Sequence, residues 1–124
     1  MQSVIYLVRH GEIDRPTPRR FLGQTDLPLN ENGVRQALAL REELAGIDFS
    51  QVFASPLQRA VQTAALISGR PIEWLHRVDA FKEINLGDWE NLSVAEVQAR
   101  FPGAYELRGR DLAHFRPQGG ESFA

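Results

Sequence analysis

The first apolar run, Val4 to Val8, is short, unbroken and rich in β-formers, which predicts a strand buried on both faces. Residues 13–30 then hold three prolines and a glycine and predict a long surface loop. From Glu31 to Ala45 the spacing becomes helical. Val34, Ala37, Leu38, Leu44 and Ala45 share one face, and Gly46 supplies a stop. Gln51 to Ala54 is a second strand candidate. Ser55 and Pro56 predict a helix start, with a capping hydroxyl followed by a proline at the first helical position. Leu57, Ala60, Val61, Ala64 and Ile67 continue that helix to Gly69, and Ile72 to Leu75 is a third strand candidate. Phe81 to Asn91 is irregular, Ser93 to Phe101 predicts a short capped helix, and the rest has no clear period.

Strand, helix, strand, helix, strand predicts an α/β fold, with a mostly parallel sheet and helices on its faces. Ligands in such sheets bind beyond the carboxyl ends of the strands. Arg9, His10 and Gly11 fall there on the first strand, and Ser55 on the second. Two cationic side chains and a turn-permitting glycine directly after a buried strand are poorly explained by packing. They fit an anion site.

The 124 residues suffice for one modest core, and 43% hydrophobic with 24% charged residues describes a globular chain. A net charge of −2 gives no overall field favouring nucleic acid or an anionic membrane, so an anion site must be local. The absence of cysteine excludes disulfides and thiolate metal sites. No long apolar run marks a leader or a span, and the expected setting is the cytoplasm.

Arg59 falls within about a turn of its helix's N-terminus, where the dipole already contributes positive charge. A lone arginine there is most often a solvated surface residue. With Arg9 expected at the same sheet edge, two guanidiniums and a helix N-terminus make a phosphate-sized site. His10 alone is more often structural than catalytic. Flanked by cations, which favour its neutral form, it is a candidate nucleophile toward phosphorus. The leaving oxygen then needs a proton, and Glu12, Asp26, Glu83, Asp88 and Glu90 could each supply it. His76 and His114 have no metal-ligand spacing with any partner and read as structural or surface residues.

LVRHGE, RFLGQTDLPLNENG, SPLQRAVQTA and KEINLGDWEN, in this order, resemble the histidine phosphatase superfamily, the branch of the cofactor-dependent phosphoglycerate mutases and small phosphomonoesterases. The resemblance runs from residue 4 to the end of the chain. It implies a three-layer α/β fold with helices on both faces of the sheet. It makes His10 the nucleophile that becomes phosphohistidine, Arg9 and Arg59 the phosphoryl clamp, and Glu83 the proton donor. Gly11, Gly23 and Gln24 are implied to join the two arginines in binding substrate. No metal or cofactor is implied, and the partner is a small phosphorylated metabolite.

Two positions depart from the family pattern. Pro16, which offers no donor, stands where the family commonly has a phosphate-holding asparagine; Arg15, Thr17 and Arg19 are candidate replacements. The family's second histidine, in an SHGG-like stretch downstream of GGES, has no counterpart before Ala124, and His114 precedes GGES. Residues 1–124 are therefore expected to be the N-terminal part of one catalytic domain, incomplete at its C-terminus. The Val4–Val8 strand would keep an unpaired edge, to be covered by a second copy or a complementing downstream segment. The short interval between Glu83 and GGES, with GDWEN and PQGGES, resembles the phosphatase branch. A phosphomonoesterase is favoured over a mutase, a sugar-bisphosphatase or a non-catalytic phospho-ligand-binding module.

Overall fold

The computed structural model describes residues 2–124. The chain divides into two units, one formed by the segment ending at Asp14 with Leu27–Ala80, the other by Arg15–Asp26 with Phe81–Ala124.

In the first unit, helix α1 spans Glu31–Glu43. Asn30 caps it, its Oδ1 accepting from the Gly33 N–H at 2.8 Å, a contact of a kind that contributes about 1 kcal/mol. Strand β1 is Phe53–Ala54 and helix α2 is Gln58–Ser68, closed by Gly69 in the left-handed conformation at φ 67°. A one-turn 3-10 helix at Ile72–Trp74 leads into strand β2, His76–Arg77. The two strands pair in parallel, Phe53 opposite His76 and Ala54 opposite Arg77. Helix α1 packs on α2, and α2 on β1. Ile13, Ala37, Ala54, Leu57, Val61, Ile67 and Leu75 are buried; removing a leucine- or isoleucine-sized side chain from water contributes roughly 1.5–3 kcal/mol. The expected α/β class, with a parallel sheet and helices, is what forms.

Three elements differ from the expectation. Val4–Val8 forms no strand: Val4, Ile5 and Leu7 are 72%, 80% and 94% exposed. A strand buried on both faces needs flanking strands to take its backbone donors and acceptors, and the only ladder among the described residues is β1–β2. Tyr6 alone of this run meets another ring, edge-on to Phe49 at 5.7 Å. Secondly, α2 starts at Gln58 rather than at Pro56. Leu57 keeps an extended backbone (ψ 141°) and is buried, while the Ser55 hydroxyl accepts from the Leu57 N–H at 3.3 Å without capping the helix. Burying the Leu57 side chain outweighs one more half-turn of helix. Thirdly, the expected third strand at Ile72–Leu75 is displaced to His76–Arg77. Pro71 opens a tight turn instead, its carbonyl accepting from the Trp74 N–H at 3.0 Å.

In the second unit, helix α3 spans Val94–Arg100, with Ser93 and Glu96 forming a reciprocal capping box. The Ser93 N–H, and after it the charge of Arg20, holds the Glu96 carboxyl below its ordinary value. A further helix, α4 (Ala104–Arg110), lies where the sequence shows no period. Its glycine and arginines mask it, and it is held by Ala104 and Tyr105 against a core of Leu86, Trp89, Leu92 and Val97. Trp89 is 1% exposed and sits between Phe21 at 5.2 Å and Phe115 at 5.1 Å between ring centres. The proline-rich loop is thus not merely surface: Phe21 and Leu22 anchor it inward, and the Phe21 N–H bonds the Leu92 carbonyl at 2.9 Å.

Candidate active site

The first unit holds Arg9, His10, Gly11 and Arg59. Arg59 is the second residue of α2 and is only 3% exposed, so the charge lies inside the fold beside the helix's positive end. The bland alternative, a solvated surface arginine, does not hold. One turn on, the Thr63 hydroxyl donates to the Arg59 carbonyl at 2.7 Å and accepts from the Gly11 N–H at 3.0 Å. The His10 Nδ1 lies 2.7 Å from the Gly11 carbonyl oxygen. A carbonyl can only accept, so Nδ1 carries a proton, and in the neutral imidazole Nε2 is the nitrogen with the free lone pair. The imidazole is half-buried. Arg9 is exposed.

Glycine is required where this loop meets α1. A Cβ on Gly11 would stand 2.7 Å from the Gly33 oxygen, and a Cβ on Gly33 would stand 2.8 Å from the Glu12 nitrogen. Two facing glycines let the backbones touch. Glu12 is consumed by that junction. Its carboxylate accepts from Asn30 Nδ2 at 3.0 Å and Asn32 Nδ2 at 2.6 Å, and its N–H donates to Gln36 Oε1 at 2.9 Å. The Asn30 bond, then that of Asn32, hold its carboxyl below the ordinary glutamate value. It is an ionised anchor with no proton to give.

The second unit holds Gly23, Gln24 and Glu83. Glu90, another acid candidate, is fully engaged. Its Oε1 accepts from the Gln24 N–H at 2.8 Å and the Leu86 N–H at 3.1 Å, and its Oε2 from the Thr25 hydroxyl at 2.7 Å. Glu83 is exposed, and its carbonyl accepts from the Gln24 side chain at 3.0 Å. Gln24 is therefore joined to the Glu83 segment at its backbone and its side chain. Gly23, at φ 36°, has no room for a Cβ, which would lie 2.7 Å from the Ile84 oxygen. Asp26 and Asp88 are exposed. Gly87 and Gly120 meet backbone to backbone, where a Cβ on Gly120 would reach the Asn85 oxygen at 2.6 Å. Pro16 is half-buried, and Arg15, Thr17 and Arg19 beside it are exposed.

His76 stacks on Phe53 at 4.9 Å, and His114 pairs with Asp111 at 3.0 Å. Among the described residues no group of three or more His, Asp or Glu side chains could hold a metal ion. No helix there is long and apolar enough to cross a membrane. Thr63 and Gly33 are residues that reading the sequence did not single out. Thr63 carried a signal, a hydroxyl four residues after Arg59 on the apolar face of its helix.

The model of the histidine phosphatase superfamily (branch 1) matches residues 5–124. The glucosyl-3-phosphoglycerate phosphatase of Mycolicibacterium vanbaalenii is 37% identical over 95% of this chain and 52% of its own length. The adenosylcobalamin/α-ribazole phosphatase of Salmonella typhimurium is 32% identical over 96% of this chain and 59% of its own. Among solved structures, the α-ribazole phosphatase of Shigella flexneri superposes with a TM-score of 0.83 at 30% identity, covering 94% of this chain and 57% of that one. The chain thus spans about half the length of the relatives it matches. With the matched region running through nearly every residue described above, the chain belongs to the histidine phosphatase superfamily.

Proposed function

We propose that this chain carries the nucleophile, clamp and acid of a phosphomonoesterase that hydrolyses small phosphorylated metabolites through a phosphohistidine on His10. One observation carries the reading: the Gly11 carbonyl at 2.7 Å from His10 Nδ1, which leaves Nε2 as the free nucleophile. The Nε2 lone pair attacks phosphorus as the P–O ester bond breaks. Arg9 and Arg59 neutralise the transferring oxygens, and Glu83 protonates the departing alkoxide. Water then attacks the phosphohistidine, giving its proton to the Glu83 carboxylate. Inorganic phosphate leaves and His10 is regenerated. Gly11, Gly23 and Gln24 line the substrate in this reading.

Relatives bearing the names of phosphatases for glucosyl-3-phosphoglycerate and α-ribazole phosphate support a phosphorylated small metabolite as substrate. The expected cytoplasmic setting, and a second copy or downstream segment lying on the exposed 4–8 run, belong to the same proposal. The test is trapping of acid-labile phosphate from a labelled phosphomonoester, with release of inorganic phosphate followed alongside. Labelling and release should both occur and both vanish in His10→Ala, with circular dichroism unchanged. Labelling retained by His10→Ala would overturn the nucleophile; transfer to a second acceptor without release would make the protein a mutase.

A further inference from the structure

Thr63 is a buried hydroxyl on the inner face of α2 that the mechanism above does not use. A threonine inside a helix often returns its proton to the carbonyl four residues back, and Thr63 does so to Arg59 at 2.7 Å. That habit alone would carry no function. The same oxygen, however, accepts the Gly11 N–H at 3.0 Å from a segment 52 residues away in the chain. Because its one proton is committed to the Arg59 carbonyl, the hydroxyl can offer only a lone pair toward Gly11. Gly11 in turn uses its carbonyl to hold the His10 Nδ1. Three hydrogen bonds therefore run in one direction from the His10 ring, through the Gly11 residue and the Thr63 oxygen, to the backbone of Arg59.

We infer that Thr63 is a positioning residue, whose hydroxyl fixes the His10 tautomer and the placement of that ring relative to the helix bearing Arg59. This rests on His10 being the nucleophile. Valine at 63 would fill the same volume, so packing alone does not call for an oxygen here. With valine the Gly11 N–H loses its acceptor, the His10–Gly11 peptide is no longer tied to α2, and the His10 backbone can shift away from the Gly11 carbonyl, which the Glu12 N–H bond to Gln36 holds in the next peptide. Misplacement of a reacting group by about 1 Å can cost ~10²-fold in rate.

The full chain should be compared as Thr63→Val, Thr63→Ser and His10→Ala, by imidazole nitrogen NMR, Gly11 amide exchange and the rate of phosphohistidine labelling. In the unsubstituted protein His10 should be almost wholly the Nδ1–H tautomer, with the Gly11 amide protected. Thr63→Val should mix the tautomers, unprotect Gly11 and slow labelling by ~10²-fold, while Thr63→Ser restores all three to within a few-fold. Unchanged tautomer and labelling in folded Thr63→Val would overturn the inference while leaving His10 as nucleophile. Should Thr63→Val not fold, an unprotected Gly11 amide in the unsubstituted protein, or Thr63→Ser behaving as a null, overturns it equally. Labelling that survives in His10→Ala would instead remove the underlying reading.

Discussion

Asn85 and Glu121 hold each other by two hydrogen bonds: the Asn85 N–H donates to the Glu121 carboxylate at 2.8 Å, and the Glu121 N–H donates to the Asn85 carbonyl at 2.7 Å. The Asn85 side chain in turn accepts from the Gly87 N–H at 2.8 Å, and the Asp88 N–H bonds the Gln118 carbonyl at 3.0 Å. The GGES stretch thus acts as a brace for the segment that follows Glu83. A hydrogen bond to a charged group contributes about 1.5–3 kcal/mol. Glu121→Ala should lower unfolding stability by roughly that amount and raise amide exchange at Asn85, with Glu121→Gln losing less. Denaturant titration with exchange mass spectrometry checks both, and an unchanged Asn85 would show that the pair contributes nothing.

The assigned roles of Glu83 and Arg59 differ in what they do for the leaving group. Glu83→Gln should slow hydrolysis of alkyl phosphates by roughly 10²- to 10⁴-fold and affect p-nitrophenyl phosphate far less, since nitrophenolate leaves without a proton. Arg59→Ala should slow both alike, by about 10²- to 10³-fold, because its charge acts on the phosphoryl oxygens. Steady-state rates on the two substrate types separate the cases. Equal losses in Glu83→Gln would remove it as the acid.

Helix propensity and tertiary contact give opposite expectations at Gly33, inside α1. Propensity alone predicts that Gly33→Ala stabilises by about 1 kcal/mol. The Glu12 backbone, with its nitrogen 2.8 Å from the new Cβ, predicts a loss. Backbone cannot move aside as a flexible side chain can, and overpacking of this kind costs about 1–3 kcal/mol. A lowered thermal midpoint is expected; a raised one would mean the two segments do not touch.

Acid sensitivity should have a contribution from Glu12. Its carboxyl sits below the ordinary value because Asn30 and Asn32 donate to the ionised form. A group depressed in the folded state stabilises fully above its unfolded value, and that contribution is lost as pH falls through the folded value. Stability should therefore fall on acidification from the ordinary glutamate range, about 4.3, downward, and show no Glu12 dependence near neutrality. Asn32→Ala, which spares the Asn30 helix cap, should flatten that fall. Urea midpoints between neutral and strongly acid pH would show whether the two curves converge.

The family of this chain was legible in its sequence because it depends on residue type and order. Arg9, His10 and Gly11 after an apolar run, Arg59 just inside a helix, and Glu83 in KEINLGDWE lie in ordered motifs within the region that the family model matches. The helices at Glu31–Glu43 and Val94–Arg100 were legible too, from the helical spacing of Val34, Ala37 and Leu38 and from the capped start at Ser93, although the first ends at Glu43, before the stop expected at Gly46.

What only the tertiary structure decided rests on contacts made across the chain. Which carboxylates are anchors rather than acids followed from Asn30 and Asn32 at Glu12, and from Gln24 and Thr25 at Glu90. The start of α2 followed from burying Leu57, and the existence of α4 from Ala104 and Tyr105 finding a core. The Val4–Val8 run reads as a strand, yet a strand exists only where another backbone accepts its hydrogen bonds, and hydrophobic pattern does not supply that partner.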